Sequence, residues 1–217
     1  VVADTVPHTR STINRITDEA QLRAVIGGPT ELVAAKIGDR INALTRRFID
    51  ASPFLCVATS GPDGLDVSPR GDPAGFVQVL DERTLLLPER PGNRLADTLT
   101  NLLVDDRIAL LFLLPGVGDT FRVNGTAVIT DDASLLEGCA VDGRVPKLGI
   151  VVTVREAFTH CPKAMIRSGL WDPARHIDRS QLPTMGEVLR SVSDPGLDAE
   201  EYDRERAGRY ARGEGLY

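Results

Sequence analysis

DVSPRGDPAGFVQVLDERTLLLPERPGNRLADTLTNLLVD, residues 66–105, carries three short apolar runs punctuated by polar turns. It reads as strand, turn, strand, hairpin, strand, and then a Pro-Gly turn opening a helix. Ser-Pro-Arg-Gly-Asp at 68–72 and Arg-Pro-Gly-Asn-Arg at 90–94 both place arginine at a turn. A helix start has N–H groups without intrahelical partners, and a guanidinium bonds bidentately, so these turns together suit a phosphate. Taken alone, Arg70 is better read as a turn residue paired with Asp66 or Asp72. Arg90 and Arg94 alone read equally well as solvated residues of a helix start. The two turns strengthen each other because both fall at the same end of the expected sheet.

Working outward, Phe54 to Thr59 is a buried-strand run, residues 61–64 (GPDG) a tight turn, and Leu65 to Ser68 the return strand. Gly75 to Leu80 and Thr84 to Leu87 are strands around a turn at 81–83. Asn93 is a good cap for a helix whose apolar face is Leu95, Leu99, Leu102 and Leu103. Arg107 to Leu114 (RIALLFLL) is apolar enough to be a central strand covered on both faces. Thr120 to Thr130 is a long strand in which Gly125 predicts a bulge, and Leu148 to Val154 is the last. About seven hairpin-linked strands with regular turn signals predict a closed antiparallel barrel, mainly β with flanking helices.

Upstream, residues 1–17 are polar and expected to wrap the surface. Thr17-Asp18-Glu19 predicts a helix start and Gly27-Gly28 its end. Glu31 to about Ala51 predicts one packing helix, with Leu32, Val33, Ile37, Ile41, Leu44 and Phe48 on its apolar side. Residues 131–132 cap a short helix over 133–139. The tail from Asp194 is charged, partly helical, and expected to be a docking or oligomer arm. The domain reading is a helical extension over 1–50 packed on a barrel domain over 51–175, with a helical arm over 176–217.

The chain has 217 residues, 42% hydrophobic and 26% charged, with net charge −6. That is ample for a buried core and argues against nucleic acid, which asks for a basic face. Three cysteines without a CxxC pair suggest reduced thiols in the cytoplasm. No run is long and apolar enough for a membrane span, and no export signal is legible at the start. The adjacent His160 and Cys161 do not suit one metal ion, so no metal is expected. GxSxG, GxGxxG and Walker patterns are missing.

A second dense segment, HCPKAMIRSGLW, occupies residues 160–171. Lys163 and Arg167 share a helical face, with Ser168 and Trp171 close behind. The sole Trp suits stacking on a planar ligand and equally suits plugging the edge of the core.

With SPRGD at 68–72, RPGNR at 90–94, FRVNGTA at 121–127 and HC-x-KA-x-x-RS-x-LW at 160–171, the chain resembles the pyridoxamine 5′-phosphate oxidase-like, FMN-binding split-barrel family, in its bacterial SPRGD/RPGNR subgroup. The resemblance covers about residues 50–171. It implies a six-stranded Greek-key barrel, a homodimer, and two FMN sites at the subunit interface. It places Ser68 and Arg70 toward the ribityl chain or ring, and Arg90, Asn93 and Arg94 on the 5′-phosphate. Lys163, Arg167, Ser168 and Trp171 would close the site from the partner subunit. The implied activity is FMN-dependent hydride transfer involving NAD(P)H or an unknown small substrate. A non-catalytic flavin sensor, or a barrel holding haem or a deazaflavin, is the alternative. The substrate-phosphate residues of true pyridoxamine phosphate oxidases are not found at the C-terminal side, so vitamin B6 oxidation is not carried over.

Overall fold

In the computed structural model, which describes residues 13–217, most helix starts follow the capping chemistry of the sequence. The expectation for residues 1–17 therefore lies, over 1–12, outside the described residues. The chain forms two compact units, one ending at Lys36 and one running from Ile37 to Tyr217. In the first, the Asp18 side chain accepts from the Gln21 N–H at 2.8 Å to open α1 (Glu19–Ile26), and Gly27 closes it at φ 72°. Thr30 caps α2 (Glu31–Ala35). Neither helix buries a residue.

The single helix expected over 31–51 is two helices. After α2, the Gly38 N–H donates to the Ala157 carbonyl at 3.1 Å and the Ala157 N–H returns the bond at 2.8 Å. Two main-chain bonds to a strand are incompatible with continuing the helix, so pairing overrides the apolar spacing. A fresh helix, α3 (Ala43–Ala51), then starts from an Asn42–Thr45 capping box. Its Ile49 is fully buried, and Phe48 stacks on Phe121 at 5.8 Å.

Seven strands follow: β1 (Phe54–Gly61), β2 (Gly64–Gly71), β3 (Gln78–Asp81), β4 (Thr84–Glu89), β5 (Arg107–Leu113), β6 (Thr120–Thr130) and β7 (Leu148–His160). They lie in the order β2-β1-β5-β6-β7-β4-β3, antiparallel at every paired contact. The β1–β2 and β3–β4 hairpins thus sit at opposite ends, joined through β5, β6 and β7. β2 and β3 are both edges and do not pair, so the barrel is split rather than closed as regular strand spacing predicts. Among the described residues seven strands form, where the family resemblance implies six.

One face of the sheet holds the core. Leu55, Val57, Leu85, Leu87, Leu110, Phe112, Phe121, Val123, Ile150 and Val152 are fully buried. Each such aliphatic side chain contributes about 1.5–3 kcal/mol relative to leaving it in water. β5 differs from the expectation of burial on both faces: its residues alternate, and Ala109, Leu111 and Leu113 on the outer face are half-exposed. β7 runs on to His160, beyond the Val154 boundary. Arg155 and Glu156 break the apolar run while Ala157 and Phe158 are buried again.

The predicted bulge is present, with the β6–β7 register shifting between Asn124 and Gly125. A Cβ at Gly125 would collide with the Thr153 carbonyl, so only glycine allows the two strands to approach there. Beyond the sheet, α4 (Asp97–Leu102) follows β4, α5 (Ala133–Leu136) follows β6, and α6 (Lys163–Ser168) follows β7. Finally α7 (Met185–Val192) and α8 (Ala199–Ala211) form a hairpin in which Gly186 lies against Ala199. No helix among the described residues is long and apolar enough to cross a membrane.

Candidate functional site

Between the end of β2, the turn after β4 and the start of α4 lies a cleft of about 680 Å³. Ser68, Arg70, Arg90, Asn93 and Arg94 all line it. Each wall comes from a stretch the sequence marks as a break. Residues 68–71 belong to β2 rather than to a turn, because Leu55 and Cys56 pair with Arg70 and Pro69 and draw the motif into the ladder. Pro69 is tolerated there because β2 is an edge strand, where a missing N–H costs no ladder bond on the open side.

The β2 wall is wired to α4. Arg70 Nη1 donates to the Ser68 hydroxyl at 2.9 Å, and its Nε donates to Glu89 at 3.3 Å. Thr98 Oγ1 donates to Asp66 at 3.2 Å and lies 2.9 Å from Ser68 Oγ. Because the Thr98 proton goes to the carboxylate, Ser68 must donate to Thr98. The order is therefore Arg70 to Ser68 to Thr98 to Asp66, running from a cation to an anion, while Arg70 Nη1 also donates to the Pro69 carbonyl at 3.0 Å. Arg70 is not paired with Asp66 or Asp72; its carboxylate is Glu89.

Arg90 and Arg94 sit four residues apart and do different things. Arg90 Nε donates to Asp72 at 2.6 Å and Nη2 to the Cys139 carbonyl at 2.8 Å. The Asp72 side chain is 1% exposed and that of Arg90 14%, so this is a buried ion pair. Burial is the main cause that lifts the neighbouring Cys139 thiol above its ordinary range, opposed by the charge of Arg90. Arg94 is exposed, and no ion pair or side-chain hydrogen bond engages its guanidinium among the described residues.

The main chain here is also unusual. Arg94 has φ 65° and Ala96 φ 60°, left-handed conformations that non-glycine residues seldom take. Asn93 does not cap the helix as its position suggests. Its Oδ1 accepts the Leu95 N–H at 3.0 Å within the turn, and α4 starts after Ala96 without a side-chain cap. First-turn N–H groups therefore open onto the same loop as Arg94. Leu95 and Leu103 are exposed, leaving Leu99 and Leu102 as the packed side of α4.

The second dense segment does not line this cleft. Lys163, Arg167 and Ser168 are exposed on or at the end of α6. The Trp171 indole N–H donates to the Val117 carbonyl at 2.9 Å, and the ring lines a separate hollow with Met165 and Gly169. Asp72, Glu89, Thr98 and Asp66 escape the sequence reading as functional positions, although the SPRGD motif contains the first. So does Tyr217, whose hydroxyl donates to Asp72 at 2.8 Å across the whole barrel sequence.

Residues 41–161 match the family model described as pyridoxamine 5′-phosphate oxidase. Among solved structures, the chain is similar to the protein HupZ of Group A Streptococcus at 22% identity, over 55% of this chain and 93% of that one, with a TM-score of 0.45. An F420 reductase matches at 13% identity, over 55% and 98% of the two chains, with a TM-score of 0.41. A Clostridium acetobutylicum protein related to general stress protein 26 (pyridoxinephosphate oxidase family) matches at 15%, over 56% and 94%, with a TM-score of 0.38. No curated protein matches the chain.

Proposed function

This chain belongs to the pyridoxamine 5′-phosphate oxidase-like family, and from that premise we propose that it is an FMN-dependent oxidoreductase acting with NAD(P)H or a small-molecule substrate. The observation that carries this reading is Arg94, an unpaired guanidinium on a left-handed turn in the same cleft as Arg70 and Ser68. A strained, exposed cation beside open main-chain N–H groups fits an anionic group such as a terminal phosphate. Asn93 and Arg94 would hold that phosphate. Arg90, committed to Asp72 and Cys139, would fix the loop that presents them. Arg70 keeps Nη2 without a partner among the described residues and would turn it to the ribityl chain or ring.

FMN, when bound, supplies hydride transfer at its ring. This chain's part is to grip, orient and supply positive charge where the reduced ring becomes anionic. No His, Cys or Met is among the described residues that line the cleft. The second reading is a flavin-binding module without turnover.

The cleft lacks any contribution from Lys163, Arg167, Ser168 and Trp171, and we read these as the partner's half of a homodimeric site. Leu65 and Val67, exposed on β2, and the half-exposed Cys56, Ala109, Leu111 and Leu113 form an apolar outer face that supports this. We assign flavin binding to residues 51–175, with 1–50 and 176–217 as an extension and an arm. Three free cysteines are in keeping with a cytoplasmic setting.

The test is the absorption spectrum of the purified chain after incubation with FMN. Flavin bands bleached by NAD(P)H, on a species of twice the 23.4 kDa chain mass, are expected. Bound flavin that NAD(P)H does not reduce selects the binding module. A protein that stays colourless with added FMN overturns the reading, and a Soret or deazaflavin band replaces the cofactor.

A further inference from the structure

One stretch far from the motifs also reaches the cleft. Gly215 and Leu216 line it beside Arg90 and residues 91–99. Tyr217 holds them there by three contacts. Its hydroxyl donates to Asp72 Oδ1 at 2.8 Å, the Arg90 guanidinium lies 5.3 Å from its ring centroid, and its main-chain oxygen accepts from Arg144 Nη1 at 3.4 Å. Asp72 divides its oxygens, one for Arg90 and one for Tyr217. The hydrogen bond to Asp72 and partial burial both hold the phenol above its ordinary 10.0, so it remains a donor through neutral pH. After α8, Gly213 at φ 67° and Gly215 at φ 77° turn the chain back sharply, with Glu214 paired to Arg212 between them. Both glycines take these left-handed conformations without strain.

We propose that residues 215–217 are an outer wall of the cleft, with Tyr217 the positioning residue that locks this wall onto the Asp72–Arg90 pair, so that a bound ligand leaves only when the lock opens. The proposal rests on the FMN reading for the ligand's identity alone. Asp72 and Arg90 would then have two tasks, fixing the phosphate loop and anchoring the wall. Loop and wall would tighten together, since both hang on one buried pair.

The test measures the rate of FMN release by dilution, read by the return of flavin fluorescence, in the full chain and in Tyr217→Ala and Tyr217→Phe. Losing a hydrogen bond to a charged acceptor and a cation–ring contact is worth about ten- to a hundred-fold in release rate. Tyr217→Ala is expected to release FMN faster by about that factor. Tyr217→Phe, which keeps the ring over Arg90, is expected to fall between. Equal release from all three overturns the proposal. Hydrogen exchange in the peptide covering residues 212–217 needs no flavin. Slow exchange in the unaltered chain, lost in Tyr217→Ala, supports the lock, and exchange already at the unstructured rate overturns it. If the unaltered chain fails to bind FMN, the cofactor reading falls and the exchange measurement still decides the lock.

Discussion

Two arginines four positions apart are engaged differently. Arg90 is spent on Asp72 and the Cys139 carbonyl, while Arg94 is exposed and uncommitted on a left-handed backbone. A buried pair resists loss of either partner, because the survivor is left charged and unsolvated. Asp72→Ala strands Arg90, removes the acceptor for Tyr217, and is expected to lower unfolding free energy by about 3–5 kcal/mol. Urea titration checks it. A loss under about 1 kcal/mol would mean the pair is hydrated in solution.

Among the elements, β6 and β7 decide the shape. They pair along almost their full lengths, and the bulge at Asn124 and Gly125 lets the sheet bend without breaking its core face. Val123 and Ala127 on β6 and Val154 and Ala157 on β7 stay buried on both sides of it. Gly125→Val forces a side chain into the Thr153 carbonyl and is expected to cost about 3 kcal/mol or more in thermal or urea unfolding. A near-neutral effect would contradict the close approach. The break between α2 and α3 is the opposite lesson. Its apolar spacing fits a helix, yet Gly38 exchanges two main-chain bonds with Ala157, a residue no local pattern could nominate.

For the whole molecule, the strand count was legible because period-2 runs and turn residues are local signals, whereas SPRGD, read as a turn, is drawn into β2 by its pairing with β1. Closure was not: regular spacing is the same for a closed barrel and for a sheet left open between β2 and β3. The convergence of residues 68–70 with 90–94 was expected and is found in one cleft. The partners of each arginine were hidden, since Glu89 for Arg70 and Tyr217 for Asp72 depend on the finished fold; the latter pair is 145 residues apart. Residues 163–171 lie away from this cleft in the single chain. The phosphate grip carries the flavin reading. Calorimetric titration of FMN and riboflavin into the unaltered chain and into Arg94→Ala tests it most directly. FMN should bind the variant about 10- to 100-fold more weakly, the worth of one or two charge-assisted hydrogen bonds, while riboflavin affinity stays within about two-fold. Equal losses for both ligands, or none, would contradict a phosphate held at Arg94.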